Sequence, residues 1–285
     1  MANFWIIQTF NGVAYGMLLF LLAAGLSLIL GMMKIANLAH GAFYLIASYV
    51  GYSVVQATGN LALALAAGAL TGVVLGVVTE RLFMRRLLGR THSQVLVSIG
   101  IALILGDLAL VIWSGDPVTI RPPAFLAQAV NLGIVRFPAY RLFLIGVGAV
   151  IAIGLNLVLG RTRLGAVIRA SVDNQEMARA MGIDIEKVFL FTFAFGAMLA
   201  GLAGVMGAPY LSVYPGLDWE LLPLTLVVVI VGGIGSINGA LVGSLILGLL
   251  DNFGRAFFAD LSYFTLFVPM IVILAFRPRG LLPRS

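Results

Sequence analysis

Side chains able to do covalent or acid–base chemistry are few in this chain, and they are scattered. The only histidines are His40 and His92, and there is no cysteine. The missing cysteines exclude disulfides, thiolate metal sites and cysteine nucleophiles. No carboxylate cluster has the spacing of a metal site. Lys34 and Lys187 are the only lysines, and neither follows a glycine loop of the kind that cradles phosphates. These residues describe no enzyme and call for no cofactor or metal. What remains are polar residues inside oily segments. Asn37 and His40 are three apart, a spacing that puts both on one helix face. They either satisfy the backbone of a broken helix or line a path through the membrane. Asp107 and Asp251 lie in apolar stretches, where a charge is costly unless paired or close to an interface. Asp251 and Arg255 are four apart and suit an ion pair, with a proton relay as the sharper alternative.

The densest polar stretch is RTRLGAVIRASVDNQEMARAMGIDIEK, residues 161–187, which holds nine of the 28 formal charges. Inside it, residues 174–181 read as a short helix with Asp173 as N-cap and Glu176 completing an acidic capping box. Gly182 is the left-handed residue that ends the helix. Eight residues are too few for a stable helix in water, so this one needs a partner surface, which Met177, Ala178 and Met181 offer. The alternative is a solvated loop between membrane helices.

The positioning elements follow from composition. Hydrophobic residues make up 61% of the sequence, charged residues only 10%, and mean hydropathy is +1.11. A soluble surface needs roughly a quarter charged residues, so most of this surface faces lipid. The net charge of +6 fits basic loops facing anionic lipid and requires no nucleic acid. Residues 2–33 contain no Lys or Arg, so the N-terminus does not read as a signal peptide. Apolar stretches at 9–33, 38–57, 61–79, 94–113, 141–160, 188–208, 221–250 and 262–276 each approach the ~20 residues a spanning helix needs. Gly232-Gly233-Ile234-Gly235 breaks the seventh, giving eight or nine crossings. The fold class is an all-α polytopic membrane protein with broken helices, a single domain over residues 1–285.

Twelve of the 17 basic residues fall in 80–93, 161–187 and the tail, which places all three, and the C-terminus, in the cytoplasm. Residues 209–220 have none and belong outside. With nine crossings the N-terminus lies outside as well, although a re-entrant 221–235 would change the count. The stretch 114–140 forms an external loop, with a small hairpin around Asn131-Leu132-Gly133. It is either a passive cap or a binding loop. Gly68-Gly72-Gly76, Gly235-Gly239-Gly243 and Gly196-Ala200-Gly204 recur at four-residue spacing, which lets helix backbones approach closely. Residues 31–51 and 229–248 both place a polar, glycine-containing break between apolar runs. Gly41-Ala42 then aligns with Gly239-Ala240, and Asn37 with Gly235. This is either an internal repeat of the transporter kind or a coincidence of glycine-rich sequence.

Several stretches carry a family resemblance. Arg161 to Gly182 resembles the cytoplasmic coupling loop of ABC-importer permeases. Glu176, Ala178 and Gly182 stand where a Glu-Ala-Ala-three-residues-Gly pattern puts them, with Met177 in place of the first Ala. Residues 25–52, 189–209 (FLFTFAFGAMLAGLAGVMGAP), 227–250 (VVVIVGGIGSINGALVGSLILGLL) and 276–283 (FRPRGLLP) resemble the branched-chain amino acid permease family, in order and over nearly the whole chain. The resemblance implies a bacterial inner-membrane subunit paired with a second permease, two cytoplasmic ATPases and an external solute-binding protein. It implies that Arg169, Asp173, Glu176, Ala178 and Gly182 serve ATPase coupling. Asn37, His40 and Gly41, with Gly232, Gly233, Gly235 and Asn238, are the candidates for the substrate path. Leucine, isoleucine and valine are the default cargo, with urea, short amides or other small amino acids as alternatives. An ion-coupled secondary transporter is the rival class, and the scarcity of intramembrane acids speaks against it.

Overall fold

A computed structural model describes the chain apart from residues 1, 35, 132, 134, 258–261 and 283–285. Arg284, one of the basic residues of the tail, lies outside the described residues. Each apolar stretch forms a helix, because backbone groups in lipid must be bonded within their own segment. Helix α1 (Ala2–Met33) is followed by α2 (His40–Thr58), α3 (Leu61–Thr79) and α4 (Thr91–Trp113). A short turn, α5 (Ala124–Ala127), and a two-stranded hairpin lead into α6 (Ala139–Arg161). The polar island holds α7 (Arg163–Asp173) and α8 (Gln175–Ala180). After it come α9 (Ile185–Gly207), α10 (Leu217–Gly232), α11 (Ile237–Phe257) and α12 (Ser262–Phe276). Among the described residues, six helices (α1, α3, α4, α6, α9 and α11) are long and apolar enough to cross a membrane.

Helix α1 is the axis of the bundle. Its residues from Ala14 to Leu30 are nearly all buried, packed between α9, α11 and α6. Small residues set these contacts. A β-carbon at Gly25 would strike the Gly196 carbonyl, and one at Gly16 the Ser244 carbonyl. Helix α3 lies on α9 in the same way, with Gly68, Gly72 and Gly76 facing Gly201, Ala197 and Phe193. Where lipid removes the hydrophobic incentive, such close backbone approach supplies the packing energy.

The expected hairpin is present. β1 (Ala129–Asn131) pairs antiparallel with β2 (Arg136–Pro138), and the Asn131 side chain accepts from the Gly133 N–H at 3.0 Å. Residues 118 and 213 exchange backbone hydrogen bonds of 2.9 and 2.8 Å, joining the two connections expected on one side. The start of α1 lies at this hairpin end, with Phe10 against Phe137. The region 80–93, read from sequence as a loop, is mostly helical. α3 continues through a π-turn, Glu80–Met84, and a 3₁₀ turn, Arg85–Leu87. Pairing of Arg85 with the buried Glu80 at 3.2 Å accompanies the wider turn.

Candidate functional site

The island is built from its caps. Thr162 caps α7, its hydroxyl accepting from the Gly165 N–H at 3.2 Å. α7 runs through Asp173, so the cap of the next helix falls one residue later than the sequence reading placed it. Asn174 is extended, and its Oδ1 accepts from the Met177 N–H at 2.9 Å. Glu176 is therefore the second helical residue, and the reciprocal bond of a capping box does not form. Gly182 ends α8 as expected, with φ +82°. Its N–H donates to the Arg179 carbonyl at 2.9 Å, and the Ile183 N–H donates to the Ala178 carbonyl at 3.0 Å. That bond pair is a Schellman ending.

The face of α8 divides in two. Ala178 is buried in a small core with Met32, Ile168, Ile185 and Phe189, which docks the island on α1 and α9. Met177 and Met181 point away from it and are 62% and 76% exposed. Ala178 thus anchors α8 internally, while the two methionines form the outer knob. Asp184 caps α9, accepting from the Lys187 N–H at 3.2 Å and pairing with its Nζ at 3.0 Å. The hydrogen bonds from Lys187 hold the Asp184 carboxyl below its ordinary value. Arg85 also bonds Glu186 at 3.1 Å, so one guanidinium ties the π-turn after α3 to the island. Sequence reasoning missed this link, since nothing in the spacing joins Glu80, Arg85 and Glu186.

The two breaks touch each other beside the island. α1 ends near Lys34, which takes a left-handed φ of +57°, and α10 ends at Gly232, with Gly233 at φ +112°. A β-carbon at Gly31 would meet the Cα of Gly235. Under the proposed repeat register, the helices that follow, α2 and α11, start within one residue of each other. Gly235 lies in the break and not on α11, because Ser236 caps that helix by accepting from the Gly239 N–H at 3.0 Å. Gly232 and Gly239 pack backbone to backbone, each leaving no room for a β-carbon on the other. The tail folds under this break. The N–H groups of Leu281 and Leu282 donate to the Val231 and Gly232 carbonyls at 2.8 and 3.0 Å.

Asn37 and His40 do not share a helix face, because Asn37 precedes α2. Its Oδ1 accepts from the Ala39 N–H, and its carbonyl accepts from the His40 N–H, both at 3.2 Å. The chain turns back here into the bundle, so His40 lies level with Leu22, roughly 16 Å above the end of α1. A carbonyl can only accept, so His40 Nε2 carries the proton in its 3.0 Å bond to the Leu22 carbonyl. His40 Nδ1 and Asn37 Nδ2 have no hydrogen-bond partner among the described residues. Gly41 packs on the Asp218 carbonyl, bringing the start of α2 against the start of α10. At the island end, Arg169, Gly235, Asn238 and Asn156 line one cleft of about 210 Å³. The structure therefore joins Arg169 to the second break, while Asn37, His40 and Gly41 sit deeper in the bundle.

Apolar helices packed through glycine, two facing breaks and a docked polar island define a multi-pass membrane protein of the transport class. The family described as branched-chain amino acid transport system, permease component, matches residues 8–275. The chain belongs to that family. The high-affinity branched-chain amino acid transport system permease protein BraD of Pseudomonas aeruginosa is 29% identical over 97% of this chain and 95% of its own length. The corresponding protein LivH of Escherichia coli (strain K12) is also 29% identical, with the same two coverages of 97% and 95%. The ribose import permease protein RbsC of Escherichia coli (strain K12) is 30% identical over 92% of this chain and 79% of its own. Among solved structures, PsaBC from Streptococcus pneumoniae in complex with Fab shares the fold, with TM-score 0.50 and 11% identity over 93% of this chain and 89% of that one.

Proposed function

We propose that this chain is the membrane-spanning permease subunit of an ABC importer in a bacterial inner membrane, moving small amino acids inward, with leucine, isoleucine and valine as the default cargo. ATP is hydrolysed by two separate cytoplasmic subunits, a second homologous permease completes the channel, and an external solute-binding protein delivers the cargo. The observation that carries this reading is the α8 knob, a helix held from within by Ala178 and capped at both ends, with Met177 and Met181 exposed. Such a helix is a compact lever on which an ATPase can push. Asn174 and Gly182 shape its ends, Asp173 and Glu176 flank its N-cap, and Arg169 lines the cleft at the second break.

In this reading the island end is cytoplasmic, with the C-terminus on that side. Asn37, His40 and Gly41, with Gly232, Gly233, Gly235 and Asn238, line or move with the route. The Nδ1 of the buried His40, without a hydrogen-bond partner among the described residues, supports the assignment, since polar residues inside a membrane bundle usually face a cavity or pathway. A ribose permease among the relatives favours a second reading, a different small solute carried by the same machinery.

Uptake into proteoliposomes holding the permease, its ATPases and its binding protein tests both. ATP-dependent accumulation of leucine, with urea and ribose excluded, is the expected result. Accumulation of urea or ribose alone overturns the amino-acid assignment, and ATP-independent uptake driven by an ion gradient overturns the importer.

A further inference from the structure

At the hairpin end, the bundle encloses a cavity of about 420 Å³ between α1, the segment after α9, and helices α10, α11 and α12. It has the size of a small-molecule pocket. Tyr15, Trp219 and Phe267 line it together with Glu220, Asp251 and Arg255, so aromatic, acidic and basic groups converge in one space. Asp251 is only 4% exposed, and its Oδ2 accepts from Arg255 Nε at 2.9 Å. Its other oxygen, Oδ1, is buried with no hydrogen-bond partner among the described residues. Glu220 is fixed by the Tyr214 hydroxyl, which donates to it at 2.8 Å.

A buried carboxylate with one oxygen committed and the other unsatisfied is costly unless a donor arrives from elsewhere. The neighbouring positive charge limits what that donor can be. A plain cation would be held near Arg255, and a plain anion near Asp251 and Glu220, each against a like charge. A ligand carrying both charges a short distance apart lies along the Asp251–Arg255 pair head to tail, its ammonium on the side of Asp251 and Glu220 and its carboxylate on the side of Arg255. Leu221 and Leu224 also line the cavity and would receive a branched apolar side chain.

We propose that this cavity is a binding station for a zwitterionic α-amino acid, with its ammonium at Asp251 Oδ1, its carboxylate toward the Arg255 guanidinium and its side chain against Leu221, Leu224 and Phe267. The proposal rests on the reading of the chain as an amino-acid permease and adds the residues that hold the cargo. The station lies at the end opposite the island, where cargo delivered from outside enters. The start of α10, which lines the station, also carries the Asp218 carbonyl that touches Gly41.

The test is saturation-transfer NMR on the intact permease–ATPase complex in detergent without binding protein, using L-leucine, leucinamide, 4-methylpentanoate and urea as probes. Leucine should bind, and both singly charged analogues should bind at least about tenfold more weakly. Asp251→Asn should weaken leucine by about the same factor. Because that variant disturbs the ion pair and could fail to assemble, Leu224→Trp fills the cavity with the pair left intact, and it should abolish the leucine signal. Leucine binding at wild-type strength in either assembled variant, or equal binding of leucinamide and leucine, overturns the station. Proteoliposome uptake of leucine by the Leu224→Trp variant at the wild-type rate would refute the station alone. Urea or ribose uptake in place of leucine by the wild type would refute the amino-acid reading beneath it.

Discussion

Two neighbouring residues, Asp173 and Asn174, are both good helix caps by type, and only Asn174 has the extended backbone that capping α8 requires. The consequence is measurable. Asn174→Ala should cost ~1 kcal/mol of local helix stability and weaken co-purification with the ATPases. Asp173→Ala, in the last turn of α7, should have the smaller effect. Equal losses, or the reverse order, would show that the cap does not govern docking. Gly182 is the other decisive residue. A β-carbon there meets nothing within 4 Å, so a substitution is opposed by backbone conformation alone, at ~1–2 kcal/mol. Gly182→Leu should therefore insert normally and lose ATP-stimulated uptake, whereas Gly182→Asn should keep most of it, because Asn tolerates the left-handed region. Normal uptake with Gly182→Leu would leave the island as a mere solvated connection.

Among the elements, the second break sets the strictest demand, since α10 and α11 meet through Gly232 and Gly239 with no space for a side chain. Gly239→Val should overpack this contact by ~1–3 kcal/mol, lowering the melting temperature in detergent and stopping uptake together. Gly146→Ala in α6 has open space around it and should change neither. Gly233→Leu acts differently. At φ +112° and ψ +124° the backbone excludes a side chain, so uptake should stop while the ATPases still co-purify. Wild-type uptake would make the break purely structural. The break itself was legible, because three glycines within four residues interrupt a thirty-residue apolar run. Gly182 was legible for the same reason, a conformation that one residue type adopts cheaply. α7 was not, because its residues also read as a charged loop and only burial of Gly165, Ile168 and Ser171 makes it a helix. The hairpin-end cavity was legible only in part. Asp251 and Arg255 share a helix, but Tyr15 and Trp219 join them from segments more than two hundred residues apart, and no spacing records that.

Across the whole molecule, charge is sorted between two ends. The Arg85–Glu186 bridge holds the 80–93 region against the island, and the packing of Gly280 on Gly233 brings the tail to the same end. At the opposite end lie the hairpin, the Val118–Val213 bridge and the start of α1. Basic residues concentrate where the membrane's anionic cytoplasmic leaflet attracts them, so the island end should face the cytoplasm. The absence of cysteine makes the test clean, since any introduced thiol is the only one. The outer reporter must also sit at an accessible position. Val130, on the hairpin and 40% exposed, meets that condition. Cysteines replacing Arg86 and Asn174 should react with a membrane-impermeant maleimide only in inside-out vesicles, and one replacing Val130 only in intact spheroplasts. Labelling of Asn174→Cys from outside would invert the bundle, place the α8 knob beyond reach of any cytoplasmic ATPase and remove the mechanical basis of the importer reading.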